Sequence, residues 1–384
     1  ELTVVRGVGT FVGEAHEVGE RILASDGGNE GRGVAVRVEE DSTVEDFYMA
    51  GNSVVNNGDD GLKYRREDEG NANKVNPMPG QRRAVTVVGN TFINNGASAP
   101  TEIVAPGQSE RRGAGIDLHM LNGSIDLQDF EIVGNVIEAN QGPNTSGILV
   151  RSEADARLLV DIEDNRIRYN SADGIELSTR ENDTTDLRQV GGTWIKNLIT
   201  DNGDHGIEVI GRHGLYDNIT EIVPQAPPGD PVPPPQVVVT PLFIGIEGPD
   251  PADGKDRGNL ITNNGLDGMT VNRGGSISFA NNVVKFNGTG GVDIDPAGLN
   301  PNQTTSIRGN ELSENSGIGL DINANPTVIA TVRDNLIRNN DDTNLGDTVL
   351  TGDGIELSTG ATGQLHVVAT GNFIEGNDGR GVDI

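Results

Sequence analysis

The chain has 384 residues, a formal net charge of −30, 54 glycines, no cysteine and 3% aromatic residues. That charge argues against nucleic acid and anionic membrane as partners, because phosphates would be repelled, and it suits cations, basic proteins or uncharged glycans. The missing cysteines exclude a disulfide framework and a thiolate metal centre, and so few large side chains point to a narrow repetitive interior rather than a thick core.

No apolar run approaches membrane-span length, and Glu1 is not followed by a signal-peptide pattern, so a processed product or an excised piece is expected. Residues 1–23 hold Leu2, Val4, Val5, Phe11 and Val12, enough for a degenerate coil. From Asn29 onward one unit recurs: Asn, any residue, an apolar residue, two more residues, Asn, a spacer, then Gly-apolar-X-apolar. The partial first copy ends in Gly33-Val-Ala-Val36, and Asn52 and Asn57 precede Gly61. Three copies carry insertions before the glycine, namely Asn90/Asn95 to Gly115, Asn135/Asn140 to Gly147 and Asn335/Asn340 to Gly354. Clean copies run Asn165/Asn170 to Gly174, Asn197/Asn202 to Gly206, Asn259/Asn264 to Gly268, Asn282/Asn287 to Gly291, Asn310/Asn315 to Gly319 and Asn372/Asn377 to Gly381.

Each part of the unit has a physical task. Alternating apolar residues before the first Asn, such as Phe130/Ile132 and Val160/Ile162, predict a strand. The apolar residue two after that Asn (Ile137, Ile167, Ile199, Val284, Leu312, Ile374) predicts a second inward anchor, and Gly-apolar-X-apolar a third strand. Asparagine tolerates left-handed backbone at the bends, and stacked amides can bond along the stack. Frequent Gly and Asn exclude long helices. One coil cannot bury its own apolar face, so neighbours must stack. The expected fold is therefore all-β, a right-handed parallel β-helix of about eleven coils forming one domain over 1–384. Loops leave it at about 65–84, 97–112, 141–146, 178–192 and 341–353, and a proline-rich insertion spans 211–256. That insertion pairs an extended spacer, Pro227 to Pro235, with an apolar run, Val237 to Ile244, expected to pack on the solenoid.

The paired-Asn repeat resembles the parallel β-helix repeats of the pectin-lyase-like superfamily, and within it the degenerate copies of large bacterial surface proteins. The resemblance covers about residues 29–384 apart from the insertions. It implies the fold far more strongly than an activity, since that superfamily holds lyases, hydrolases, epimerases, adhesins and phage tailspikes.

Three groups of residues bear on function. The X of Gly-apolar-X-apolar should point outward and is a carboxylate in Asp117, Glu176, Glu208, Asp293, Asp321, Glu356 and Asp383, with Ala35, Lys63, Leu149 and Thr270 as exceptions. Stacked about 4.8 Å apart, such charges repel, so the row is either a solvated acidic face or a calcium site built on Asp293, Asp321, Glu356 and Asp383. The resemblance also directs attention to Gly58-Asp-Asp-Gly61 and Asp204-His-Gly206, because polygalacturonase-like members use clustered aspartates with a His-Gly step. These segments lie about four coils apart, too far for one site. Glu176 and Glu208, near Arg180 and His205, are the only adjacent-coil alternative; His205 is expected to be a corner residue, and His16, His119, His213 and His366 are scattered. Asn-X-Ser/Thr at Asn122, Asn144, Asn182, Asn218, Asn287 and Asn302 is what an Asn-rich chain gives by chance, and Asn287 should be hidden in the ladder.

With no convergent acid cluster, no catalytic residue is assigned and no turnover of polygalacturonate, pectin or alginate is expected. The sequence favours an extracellular or cell-surface rod, structural or adhesive and stabilised by Ca²⁺. The alternative is a carbohydrate-active enzyme, a lyase, hydrolase or epimerase, on uronate polymers. Three or more acidic or basic side chains converging on one groove would mark the enzyme; a rod would show none. Gly31 to Val36 nearly repeats Gly379 to Ile384, so further coils of the same chain, or other copies stacked end to end as a filament, are the expected partners.

Overall fold

The computed structural model describes residues 31–38, 46–67, 83–97, 113–121, 127–142, 144–152, 157–179, 189–211, 215–219, 236–240, 242–246, 258–272, 276–295, 303–324, 327–341, 352–360 and 363–384. These form a right-handed parallel β-helix. Its first sheet has 11 strands, one per coil, from Val34–Val38 to Val382–Asp383, and two further parallel sheets have 10 strands each. The second begins at Asp46–Ala50 and the third at Ser53–Val55. Among the described residues there is no helix.

The predicted anchors fill the interior: Phe130, Ile132, Ile137, Val160, Ile162, Ile167 and Ile199 are fully buried. Trp194, the one tryptophan, is also fully buried and donates its indole N–H to the Val160 carbonyl at 3.0 Å. Burying each such side chain contributes roughly 1.5–3 kcal/mol. In the last described coil Val382 and Phe373 are exposed and Leu365, Val367 and Ile374 only partly covered.

Two buried asparagine columns run alongside. The first Asn of every unit, Asn52 through Asn372, passes its amide N–H to the Oδ1 of the next, as in Asn135 Nδ2 to Asn165 Oδ1 at 3.0 Å. The second Asn, Asn57 through Asn377, does the same, as in Asn170 Nδ2 to Asn202 Oδ1 at 2.9 Å. Left-handed backbone does not fall on these asparagines but on the residue before each except Asn259, including Tyr169, Lys196 and Phe286. The expectation that Asn itself takes that conformation is thus corrected: its amide must face inward, so the bend is placed one residue earlier. The repeat glycine answers to close approach rather than to φ. At Gly174 an added Cβ would stand 2.6 Å from the Gly206 carbonyl oxygen of the next coil.

The 211–256 stretch divides. Gln236–Thr240 pairs antiparallel with Leu215–Ile219 as a small ribbon, while Leu242–Gly245 is already a strand of the second sheet with Leu242 and Ile244 fully buried. The polyproline segment lies outside the described residues.

Candidate functional site

The first sheet presents two outward rows. Position X runs Ala35, Lys63, Asp117, Leu149, Glu176, Glu208, Thr270, Asp293, Asp321, Glu356 and Asp383 in direct register. Two residues further along each strand a second row begins Arg37, Arg65, His119, Arg151, also in register. Four basic or basic-capable groups therefore stack at about 4.8 Å intervals beside Lys63 and Asp117. The first row is not the uniformly solvated face that was one of its two expected states: Lys63, Asp117, Leu149, Glu176 and Thr270 are all buried.

Asp117 is the centre of a charge cluster. Its Oδ2 accepts from Lys63 Nζ at 2.8 Å, its Oδ1 from Arg151 Nε at 3.3 Å, and Arg151 Nη2 also donates to Oδ2. Lys63 Nζ is shared with Asp60, whose Oδ2 lies 3.4 Å away and whose Oδ1 accepts from the Ala114 backbone N–H at 2.9 Å. Arg32 Nε approaches the same Asp60 oxygen at 3.5 Å. His119 stands two residues beyond Asp117 on the same strand face and is nearly buried.

The two carboxyls titrate in opposite directions. Burial, then the charge of Asp117, push Asp60 up to about 7 against the pull of Lys63. Burial also acts to raise Asp117, but Arg151 and Lys63 outweigh it and hold that carboxyl below the usual carboxylate range. Asp117 is thus held as an anion clamping two cations, while burial and that anion favour the protonated form of Asp60. Neighbouring carboxyls driven apart in this way are a signature of an acid–base site.

The other residues predicted from the sequence fall elsewhere. Gly58 to Gly61 and Asp204 to Gly206 do stay four coils apart; Asp60 finds its partner on the next coil instead. Glu176 and Glu208 are in register, with Glu176 accepting from Ser146 Oγ at 3.2 Å, and Arg180 lies outside the described residues. His205 sits at the corner before Gly206, its Nδ1 3.1 Å from Asp173 Oδ1 and its Nε2 3.7 Å from Asp267 Oδ2. Burial works to lower its pKa, but Asp173, Asp267 and Glu208 prevail and raise it. Asp293, Asp321, Glu356 and Asp383 form the expected consecutive row. Burial and neighbouring acids push Asp293 and Asp321 up to about 7, so protons relieve part of the repulsion that had been expected to require a cation. Asp383 is paired with Arg380. Asn287 is fully buried in its column, as expected.

The sequence reading missed the Asp60–Lys63–Asp117–Arg151 cluster. It followed position X alone, counted Lys63 as an exception and His119 as scattered, and never read the row two residues further on.

No family model matches the chain, and no curated protein matches it. Three solved structures do. The A-module of mannuronan C-5 epimerase AlgE6 of Azotobacter vinelandii is 14% identical, with 89% of this chain and 81% of that one covered at a TM-score of 0.34. The AlgE4 A-module from the same organism is 12% identical, with 92% and 90% covered at 0.36. A mutant of the periplasmic alginate epimerase AlgG is 11% identical, with 89% and 76% covered at 0.41. The rod reading and the leaning against an enzyme are corrected on this geometry: Asp60, Lys63, Asp117 and Arg151 converge on one face where a rod was expected to show none. The reason given for expecting no turnover, a missing acid cluster, falls with them.

Proposed function

We propose that the chain is a carbohydrate-active enzyme that moves the C5 proton of a uronate polymer, as an epimerase or a lyase. The observation that carries this is the buried Asp60–Lys63–Asp117–Arg151 cluster beside the stacked Arg37, Arg65 and His119. A proton next to a carboxylate becomes removable only when the carboxylate charge is neutralised, which cations in a water-poor site do well. Linear polyuronates carry one carboxylate per sugar, and the basic row repeats once per coil. Asp60, poised near neutrality, is the group suited to exchange a proton, at a rate gain of about 10²–10⁴. Asp117 positions Lys63 and Arg151. Reprotonation of C5 from the opposite face gives epimerisation; loss of the C4 oxygen gives elimination. A hydrolase is less well matched, because Asp117 is committed to its two cations. Such a polymer is met outside the cytoplasm, which supports an extracellular or periplasmic location.

The test is deuterium exchange. Polymannuronate, polyguluronate and polygalacturonate are incubated with the protein in D₂O, and C5 deuteration is read by proton NMR alongside ultraviolet absorbance of unsaturated ends. Deuteration on at least one polymer, reduced about a hundredfold or more in Asp60→Asn, is expected. No exchange on any uronate polymer would sink the proposal.

A further inference from the structure

One to three coils beyond Arg151 the corners of the solenoid build a second, different constellation. Asp173, His205 and Asp267 each precede the repeat glycine, and the corner hydrogen bonds Gly174 N to His205 O and Gly206 N to Asp267 O stack them on consecutive coils. Glu208 joins them from the strand Ile207–Ile210. One donor atom each of Asp173, His205 and Glu208 lies within 4.8 Å of the others.

We propose that Asp173, His205 and Glu208 bind one divalent transition-metal ion, with Asp267 orienting the imidazole from behind. Three features point to a metal rather than to an acidic surface. First, the set mixes an imidazole nitrogen with two carboxylate oxygens, which suits Zn²⁺ and its neighbours over the all-oxygen preference of Ca²⁺. Second, Nδ1 of His205 and Oδ1 of Asp173 stand 3.1 Å apart, near the roughly 3.3 Å edge of a tetrahedron with bonds of about 2.0–2.1 Å. A metal on the Nδ1 side takes the place of that hydrogen bond with little movement. Third, the far ring nitrogen faces Asp267, which is itself fixed by Thr289 Oγ1 at 2.6 Å. A carboxylate beside the far nitrogen of a ligating histidine is the usual outer shell of a protein metal site, and here it stands 3.7 Å away, within ion-pair reach. Asp173 is buried, while His205 and Glu208 are half-buried, so an ion can enter from solvent. The site is independent of the proposed C5 chemistry and uses none of its residues.

The experiment is calorimetric titration of the chelator-treated protein with Zn²⁺, with Co²⁺ as an optical probe. One equivalent of Zn²⁺ is expected, and cobalt should show the visible absorption of a nitrogen- and oxygen-ligated ion. His205→Gln and Glu208→Gln should each weaken binding at least tenfold, and Asp267→Asn by about tenfold at unchanged stoichiometry. Because the chain is so acidic, Asp293→Asn/Asp321→Asn/Glu356→Gln serves as a control and should keep the tight equivalent. Glu208 is half-buried on the outer face, so Glu208→Gln decides the question even if His205→Gln fails to fold. Absence of a stoichiometric ion, unchanged affinity in Glu208→Gln, or loss of the ion only in the triple variant would each overturn the site.

Discussion

The early and late coils of the first sheet solve the same problem in opposite ways. Both stack charged side chains in register on the outward rows of consecutive coils. In the early coils Lys63, Asp117 and Arg151 alternate in sign, and every charge is met by a neighbour. In the late coils Asp293, Asp321 and Glu356 share one sign, and burial instead pushes the first two carboxyls up to about 7. An identical backbone lattice can therefore hold either a permanently ionised cluster or a row that gives up its charge. The residues set on these outward rows decide which, and no coil has to change shape.

The largest way to break the contrast is to strip the early cluster of its anion. Asp117→Leu leaves Lys63 and Arg151 buried without their shared partner, and about 3–5 kcal/mol of stability should be lost. A denaturation midpoint within 1 kcal/mol of wild type would show that the cluster is solvated after all. Next comes pH. The folded-state pKa values of Asp293 and Asp321 lie above the unfolded carboxyl value, so the folded chain holds the extra protons. The stability they allow is fully present below about pH 4 and is lost as pH rises to about 7. Melting should therefore fall by several degrees between pH 5 and pH 8, and Asp293→Asn/Asp321→Asn should flatten that fall. A steeper fall in the double variant would place the titrating groups elsewhere.

A smaller effect follows from importing the early solution into the late coils. Asp321→Lys sets a cation between Asp293 and Glu356 and should raise the midpoint at pH 8 by roughly 1 kcal/mol. A decrease would mean that the side chain cannot reach either neighbour. The smallest concerns calcium, which the sequence suggested for Asp293, Asp321, Glu356 and Asp383. Millimolar Ca²⁺ should raise the melting temperature at pH 8, where Asp293 and Asp321 are ionised, more than at pH 5. A shift that persists with all four residues neutralised would move calcium off this row.

The lattice was legible because it repeats. Ten asparagine pairs at fixed internal spacing, with inward anchors such as Ile167 and Ile199, leave little freedom in coil count or register. The site was not, for two physical reasons. Its contacts cross coils of unequal length, with Lys63 and Asp117 54 residues apart and Asp117 and Arg151 34 apart, so no linear motif holds them. Its second row is visible only when the coils are aligned on their glycines and read two residues past X. There Arg37, Arg65, His119 and Arg151 fall into one column, and that signal was available in the sequence. Burial was beyond reach altogether, since nothing in the residue order says that Asp117 would be closed off while Asp293 keeps some contact with water.

The asparagine columns also give the molecule a polarity. In each column every side-chain carbonyl accepts from the amide of the preceding coil, so all of these carbonyls point back toward the Asn52 and Asn57 end. Aligned amides add as they do in an α-helix, where the sum amounts to about half an elementary charge at each end. Each column is thus an insulated stack of dipoles, negative toward Asn52 and Asn57 and positive toward Asn372 and Asn377. The charged rows outside run the opposite way, with Arg37, Arg65 and Arg151 near the negative end and Asp293, Asp321 and Glu356 toward the positive one. The interior field thus favours cations where the arginines stand and anions where the carboxylates stand, and it does so through residues that are buried except at the column ends.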